Sequence, residues 1–400
     1  MDSFIYALVL VPAMREVLPA SGIPASTGNL GFYGSILFAV FLVGWGCAFL
    51  WGPFADRFGR VRSLILAILC YSLFTFLGSA AHNVWQLGAF RLLAGFGVGG
   101  EFVGATAFIA EEMPDHRRVS GAAWLNSAYY LGTFIAAGLN YLIGARYGWR
   151  AMFVAGGAPA LFVAFIRLGV HEPERWKKRI AETGGWTARD SLLALFSAEY
   201  RQRTLVNCLF LLISMIGLWA GSVYAPGAVT EVAIREGYTA ADAARIASWA
   251  TMLLAVGTIL GCLLMPPLAN RFGRRGAVAC FYAVMAASIA FSFGYAFYLP
   301  HGALAFLIPS LFFVGVGGAS FSVYLAWLPE QYRTECRASA IAFATSIGRF
   351  AAAGATFLVG AGISAYGSIG IPVAATSIAF ALGLLVVPLG VETKGQPLPV

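Results

Sequence analysis

The sequence predicts an all-α membrane protein: twelve transmembrane helices arranged as two pseudo-symmetric six-helix halves. Composition, the length of the apolar runs and an internal repeat point to it. Of 400 residues, 60% are hydrophobic and 11% charged, where ordinary soluble domains carry about 25% charged residues. A soluble fold of this length has too little interior to hide so much apolar side chain. The mean hydropathy of +0.78 agrees.

A helix crosses the hydrocarbon core with about 20 apolar residues. Such runs lie near 2–18, 32–52, 62–82, 86–110, 118–142 and 149–169, and again near 204–226, 245–268, 276–299, 302–327, 338–362 and 366–389. Strands of a membrane β-barrel would be about half that length and would alternate strictly; these runs do neither. The first opens at Met1 without a polar leader, so the chain is expected to begin inside its first helix, which Pro12 should bend. Between the two sets lies a charge-rich stretch. The expected organisation is therefore an N-terminal bundle over 1–170, a cytoplasmic linker over 171–203 and a C-terminal bundle over 204–400.

Orientation follows from basic residues in the loops. With the N-terminal side placed in the cytoplasm, nineteen Lys and Arg fall in inner loops and five in outer loops, leaving Arg91 and Arg349 inside spans. Both termini are thus expected in the cytoplasm, and the chain in the cell inner membrane. The net charge of +8 reflects this topology, so no nucleic-acid partner is expected. The six cysteines show no paired or Cys/His spacing, as a disulfide framework or zinc site would require. Neither metal nor cofactor is expected. Phosphate-binding, zinc-protease and nucleophile-elbow motifs are absent too, so an enzyme is not expected.

Two segments repeat. Asp56-Arg57-Phe-Gly59-Arg60 after the second span answers Asn270-Arg271-Phe-Gly273-Arg274 after the eighth, 214 residues later. After the fourth and tenth spans, Glu111-x-x-Pro-x-x-x-Arg118 answers Glu330-x-x-Arg333-x-x-x-Arg337, and Gly95-x-Gly97 answers Gly315-x-Gly317. Duplicated six-helix halves are a common build of secondary transporters, with substrate bound between the halves.

On these motifs the chain resembles the major facilitator superfamily over all twelve spans. Arg91-x-x-x-Gly95, His171-Glu-Pro-Glu-Arg-Trp176 and Glu392-Thr-Lys-Gly395 look like its sugar-porter branch. Gly99-Gly-Glu101 and Gly348-Arg349-Phe350 look more like bacterial carriers of organic acids with protons, of the sialate and lactate type. The seventh span lacks the sugar porters' Gln-Gln-x-Ser-Gly-x-Asn string, and Asn126 stands where they place glutamine. The resemblance implies a monomeric carrier in the lipid bilayer that imports a small, carboxylate-bearing solute with protons by alternating access. A sugar or polyol symporter is the alternative, followed by an efflux antiporter and by a transport-inactive sensor on the same fold.

Charged groups deep in a membrane are costly and mark function. Four are expected there: Asp2, Arg91, Glu101 and Arg349. Resemblance pairs Asp2 with Arg91 for proton coupling. Counting 1.5 Å per residue puts Asp2 roughly 20 Å and Glu101 roughly 24 Å from the outer ends of their spans, which makes Glu101 the competing proton carrier. Arg349 falls roughly 16 Å deep by the same count, where a guanidinium can clasp a carboxylate in two parallel bonds. It is the expected anchor of an anionic substrate. Asn126, Tyr130, Trp219 and Tyr324 are expected to line the same cavity, with Tyr224 and Trp327 as further candidates. The resemblance makes Asp56, Arg57, Gly59, Arg60, Glu111, Arg118, Arg271, Gly273, Arg274, Glu330 and Arg337 a cytoplasmic gate. Arg60, Arg118, Arg274 and Arg337 should face Glu111, Glu330 and Glu172 or Glu174, with Asp56 held near a helix N-terminus by the helix dipole and neighbouring arginines. Asn270, uncharged, should weaken the second copy.

Overall fold

The computed structural model describes residues 2–183 and 187–399; for several helical residues within these, Asp2 and Trp219 among them, side chains lie outside the description. Eighteen α-helices and no β-strand occur among the described residues. The first part of the chain forms α1 (Asp2–Val17), α2 (Thr27–Gly46), α3 (Trp51–Phe58), α4 (Arg60–Gly78), α5 (Val84–Glu112), α6 (Arg118–Leu139), α7 (Ala145–Gly156) and α8 (Phe162–Gly169). Two short helices follow, α9 (Glu174–Thr183) and α10 (Ala188–Ala194). The remainder forms α11 (Arg201–Val223), α12 (Ala225–Arg235), α13 (Ala240–Gly294), α14 (Ala303–Gly318), α15 (Ser320–Trp327), α16 (Arg337–Tyr366), α17 (Gly370–Ala375) and α18 (Ser377–Val386).

Each of the twelve expected apolar runs is largely helical, with different breaks. Seven stretches of the described residues are long and apolar enough to cross a membrane. One of them, Asp242–Tyr298, holds two expected spans joined at Gly273. The run at 149–169 is interrupted between α7 and α8, where Gly156, Gly157 and Pro159 weaken the helix; glycine costs backbone entropy and proline lacks the N–H donor. Pro12 is accommodated inside α1. Large apolar side chains such as Phe165, Leu168 and Leu385 remain at least 74% exposed. That surface suits lipid rather than water.

The repeat shows in how helices touch. A Cβ built on Gly95 of α5 would lie 2.1 Å from the Phe41 carbonyl oxygen of α2; on Gly315 of α14 it would lie 2.1 Å from the Leu254 carbonyl oxygen of α13. Small residues permit such approach, and in lipid close packing is what holds helices together. Substituting leucine for either glycine should therefore cost at least 1–3 kcal/mol of overpacking. A melting temperature in detergent that stays at the parental value would contradict this.

The halves also share a core. Ala55, Val103, Ala107, Val119, Ala122 and Ala123 pack in one apolar cluster with Ala319, Val323, Ala338 and Ala342. This seam carries both sites described next.

Candidate functional site

At the end of the bundle where α3 meets α4, the buried charges form a two-fold pattern. Glu111 accepts from Arg60 of its own half, Nε to Oε2 at 3.0 Å and Nη2 to Oε1 at 2.8 Å. It also accepts from Arg337 of the opposite half at 2.7 Å. Glu330 repeats this: Arg274 of its own half donates at 2.9 and 2.6 Å, and Arg118 of the opposite half lies 3.6 Å away. Each carboxylate thus neutralises one guanidinium per half, which is how buried charges are tolerated.

Asp56 adds a bond between halves on one side only. Its carboxylate accepts from the backbone N–H groups of Ala338 and Ser339 at 3.1 and 2.9 Å, and from the Ser339 hydroxyl at 2.6 Å. These are the first turn of α16, where unpaired N–H groups and the helix dipole favour an anion. Arg60 flanks it at 3.2 Å. The side chain of Asn270, the corresponding residue, is exposed. Arg57 and Arg271 stay outside the cluster, each over the ring of the phenylalanine that follows it, at 5.3 Å.

Gly59 and Gly273 open the second helix of each repeat with φ of +114° and +79°, a region L-residues rarely adopt. Their N–H-rich turns are capped by acids from farther along the chain. Glu172 accepts from the N–H groups of Val61 and Arg62, both at 3.1 Å. Glu392 accepts from those of Arg274 and Arg275 at 3.0 and 3.1 Å. Glu174, the other acid expected to serve, is instead exposed beside Lys177. A Cβ on Gly59 would lie 2.3 Å from Glu172 Oε1, so Gly59→Ala should cost about 1–3 kcal/mol in strain and lost capping. Thermal melting that shows no loss would contradict it.

The connecting segment packs on this cluster. Trp176 donates to the Asp56 carbonyl at 2.9 Å, Ser191 donates to the Glu335 carbonyl at 2.9 Å, and Arg179 binds the buried Glu335 carboxylate. That bond raises the Arg179 pKa above its ordinary value.

Farther along the seam lies Arg349, twelve residues beyond Arg337 and so roughly 18 Å along α16. It is 3% exposed. One N–H donates to the Thr345 carbonyl of its own helix at 3.2 Å. Its guanidinium lies over two rings from the opposite half, Trp45 at 4.2 Å and Phe102 at 5.2 Å. It takes part in no ion pair among the described residues. Cation–π contact stabilises a desolvated guanidinium by about 2 kcal/mol, less than burying an isolated charge costs. Phe102 meets Phe321 of the second half at 5.4 Å, and Trp45 meets Tyr129 at 6.3 Å, which abuts Tyr130. Asn126 donates to Cys262 across the seam at 3.2 Å.

The other expected cavity residues are placed differently. The Tyr324 hydroxyl bonds Tyr282 at 2.7 Å and Ser214 at 3.1 Å, inside the second half. Trp327 donates to the Val391 carbonyl, and Tyr224 to the Thr356 carbonyl. The Trp219 side chain lies outside the described residues, as does that of Asp2. Arg91 is buried with its guanidinium 4.6 Å from the Tyr6 ring and 4.1 Å from the Phe41 ring. Glu101, half-buried, immediately precedes Phe102. Trp45 and Phe102 were not expected at the site. In the sequence they belong to apolar stripes that read equally well as packing.

Two related helical halves, a charge cluster tying them together at one end and a buried guanidinium on the seam define a carrier-type membrane protein. Comparisons with known proteins narrow this. The family described as Major Facilitator Superfamily matches residues 1–244. The chain is similar to the niacin transporter NiaP of Acinetobacter baylyi, 26% identical over 100% of this chain and 92% of that one. It is also similar to the cis,cis-muconate transport protein of the same organism, 25% identical over 86% and 81%. Among solved structures, the proton:xylose symporter XylE bound to 6-bromo-6-deoxy-D-glucose superposes with a TM-score of 0.81 at 20% identity, covering 99% of this chain and 94% of that one. The chain belongs to the major facilitator superfamily. It is a multi-pass membrane transport protein acting on a small molecule, and not an enzyme.

Proposed function

We propose that this chain is a secondary active transporter that imports a small carboxylate-bearing solute with protons by alternating access. The observation that carries the reading is Arg349, a buried guanidinium on the seam between the halves with no acidic partner among the described residues. A solute carboxylate would supply the missing counter-charge through two parallel, charge-assisted bonds. The relatives named for niacin and cis,cis-muconate support this choice over a sugar, since both solutes are carboxylic acids.

In this reading the charge cluster is the cytoplasmic gate, drawn in its closed state. Both termini and the linker over 171–203 lie in the cytoplasm, between bundles over 1–170 and 204–400. The protein works as a monomer in the cell inner membrane. Closing the outer end around the solute would require the Glu111, Glu330 and Asp56 contacts to separate, opening the inner end. Proton coupling is assigned to Asp2, Arg91 and Glu101. A carboxylate beside a guanidinium stays ionised, and one moved away into a drier setting takes up a proton.

The test is solute counterflow in proteoliposomes across a panel of organic acids, sugars and polyols. Exchange confined to carboxylates is the expected result; exchange of xylose or a polyol with no response to any carboxylate would overturn it.

A further inference from the structure

Buried indole N–H groups almost always have a hydrogen-bond partner. Trp51, Trp149, Trp176 and Trp327 obey, donating respectively to the Phe96 carbonyl, Glu16, the Asp56 carbonyl and the Val391 carbonyl. Trp45 does not. It is 5% exposed, and its Nε1 has no partner among the described residues. The Ser346 hydroxyl is likewise buried without one. Ser346 lies three residues before Arg349, on the same face of α16. Two buried polar groups without a partner among the described residues thus occur near a guanidinium that has no acidic partner among them. A buried polar group left unmet is costly, so each favours a ligand that would meet it.

We infer that Trp45 is a substrate-reading residue: its indole N–H donates to a second acceptor on a flat, unsaturated carboxylate whose carboxyl group Arg349 holds. This rests on the reading of Arg349 given above. An indole nitrogen only donates, so it selects a ring nitrogen or ring-borne oxygen rather than a hydrogen. The guanidinium lies over the indole at 4.2 Å, which brings the two donor-bearing groups within the span of one small ligand. Phe102, Tyr129 and Phe321 supply aromatic walls around them, and such walls favour a planar ring.

The experiment compares nicotinate with benzoate, which share the carboxylate and ring shape and differ in the ring nitrogen. Binding to the purified protein and uptake by proteoliposomes are measured for the wild type, Trp45→Phe and Arg349→Gln. The wild type should prefer nicotinate about tenfold, the worth of one hydrogen bond to a buried donor. Trp45→Phe should bring that preference close to one. Arg349→Gln should abolish transport of both. A wild type that takes benzoate as well as nicotinate, or binds neither, overturns the role of Trp45 without recourse to any variant. So does a preference that survives in Trp45→Phe. Full transport by Arg349→Gln would overturn the anchor itself, a separable result.

Discussion

Arg349→Gln should lower carboxylate uptake by at least 100-fold while leaving the solute-free protein as stable as its parent, or more so. The two halves of this expectation have one cause. Arg349 is buried among rings and, among the described residues, bonded to a carbonyl of its own helix alone. Glutamine keeps a polar side chain of smaller size and removes the buried charge. Truncating one member of a desolvated charge pair costs about 2–5 kcal/mol of binding, but in the proposed reading the second member arrives only with the solute. In the empty protein the substitution relieves desolvation. A purely structural arginine would behave the opposite way, with a lowered melting temperature and little effect on the affinity of what remains folded. Arg349→Lys should fall between, about tenfold down, because an ammonium keeps the charge and loses the two-pronged geometry. Melting curves and initial uptake rates on the same preparations check all three.

Glu111→Gln should open the bundle at the charge cluster. Glu111, Arg60 and Arg337 are each fully buried, and the carboxylate is shared between the two arginines. The amide would leave Arg337 without its carboxylate and Arg60 with Asp56 alone, and breaking a buried pair this way costs about 3–5 kcal/mol. That loss falls on the closed arrangement, where Arg337 reaches across the seam. A shift of about 5.5 kcal/mol would move an equilibrium from 1:99 to 99:1, so the expected change is most of that span. Spin labels at the exposed positions 57 and 271, one on each half, would report longer separations, and net accumulation of solute should fall. Glu330→Gln should do less, because its cross-seam contact with Arg118 is 3.6 Å and Arg118 keeps Asp115 as a second partner. Equal effects from the two substitutions would contradict the asymmetry seen here.

Much of this was legible in the sequence, for identifiable reasons. The helical, membrane-spanning character of the fold follows from the bilayer, which acts uniformly on all the helices and so leaves its mark in composition. The paired motifs at Asp56 and Asn270, and at Glu111 and Glu330, are readable because duplication preserved both copies. The roles of Glu172 and Glu392 were harder to see. Each caps a helix start more than a hundred residues upstream, and nothing local distinguishes Glu172 from Glu174. Trp45 and Phe102 were hidden for another reason. A ring that faces a pocket and a ring that faces lipid have the same helical spacing, and only the placement of Arg349 against them separates the two. Tyr324 shows the converse: an aromatic residue expected to line the cavity, it has its hydroxyl committed to Tyr282 and Ser214.

The central claim is that carboxylate entry is driven by protons, and uptake of labelled nicotinate into proteoliposomes tests it most directly. With an inward proton gradient the solute should accumulate above its external concentration, and a protonophore should collapse that accumulation. Uptake that reaches the same level with and without the gradient would contradict it.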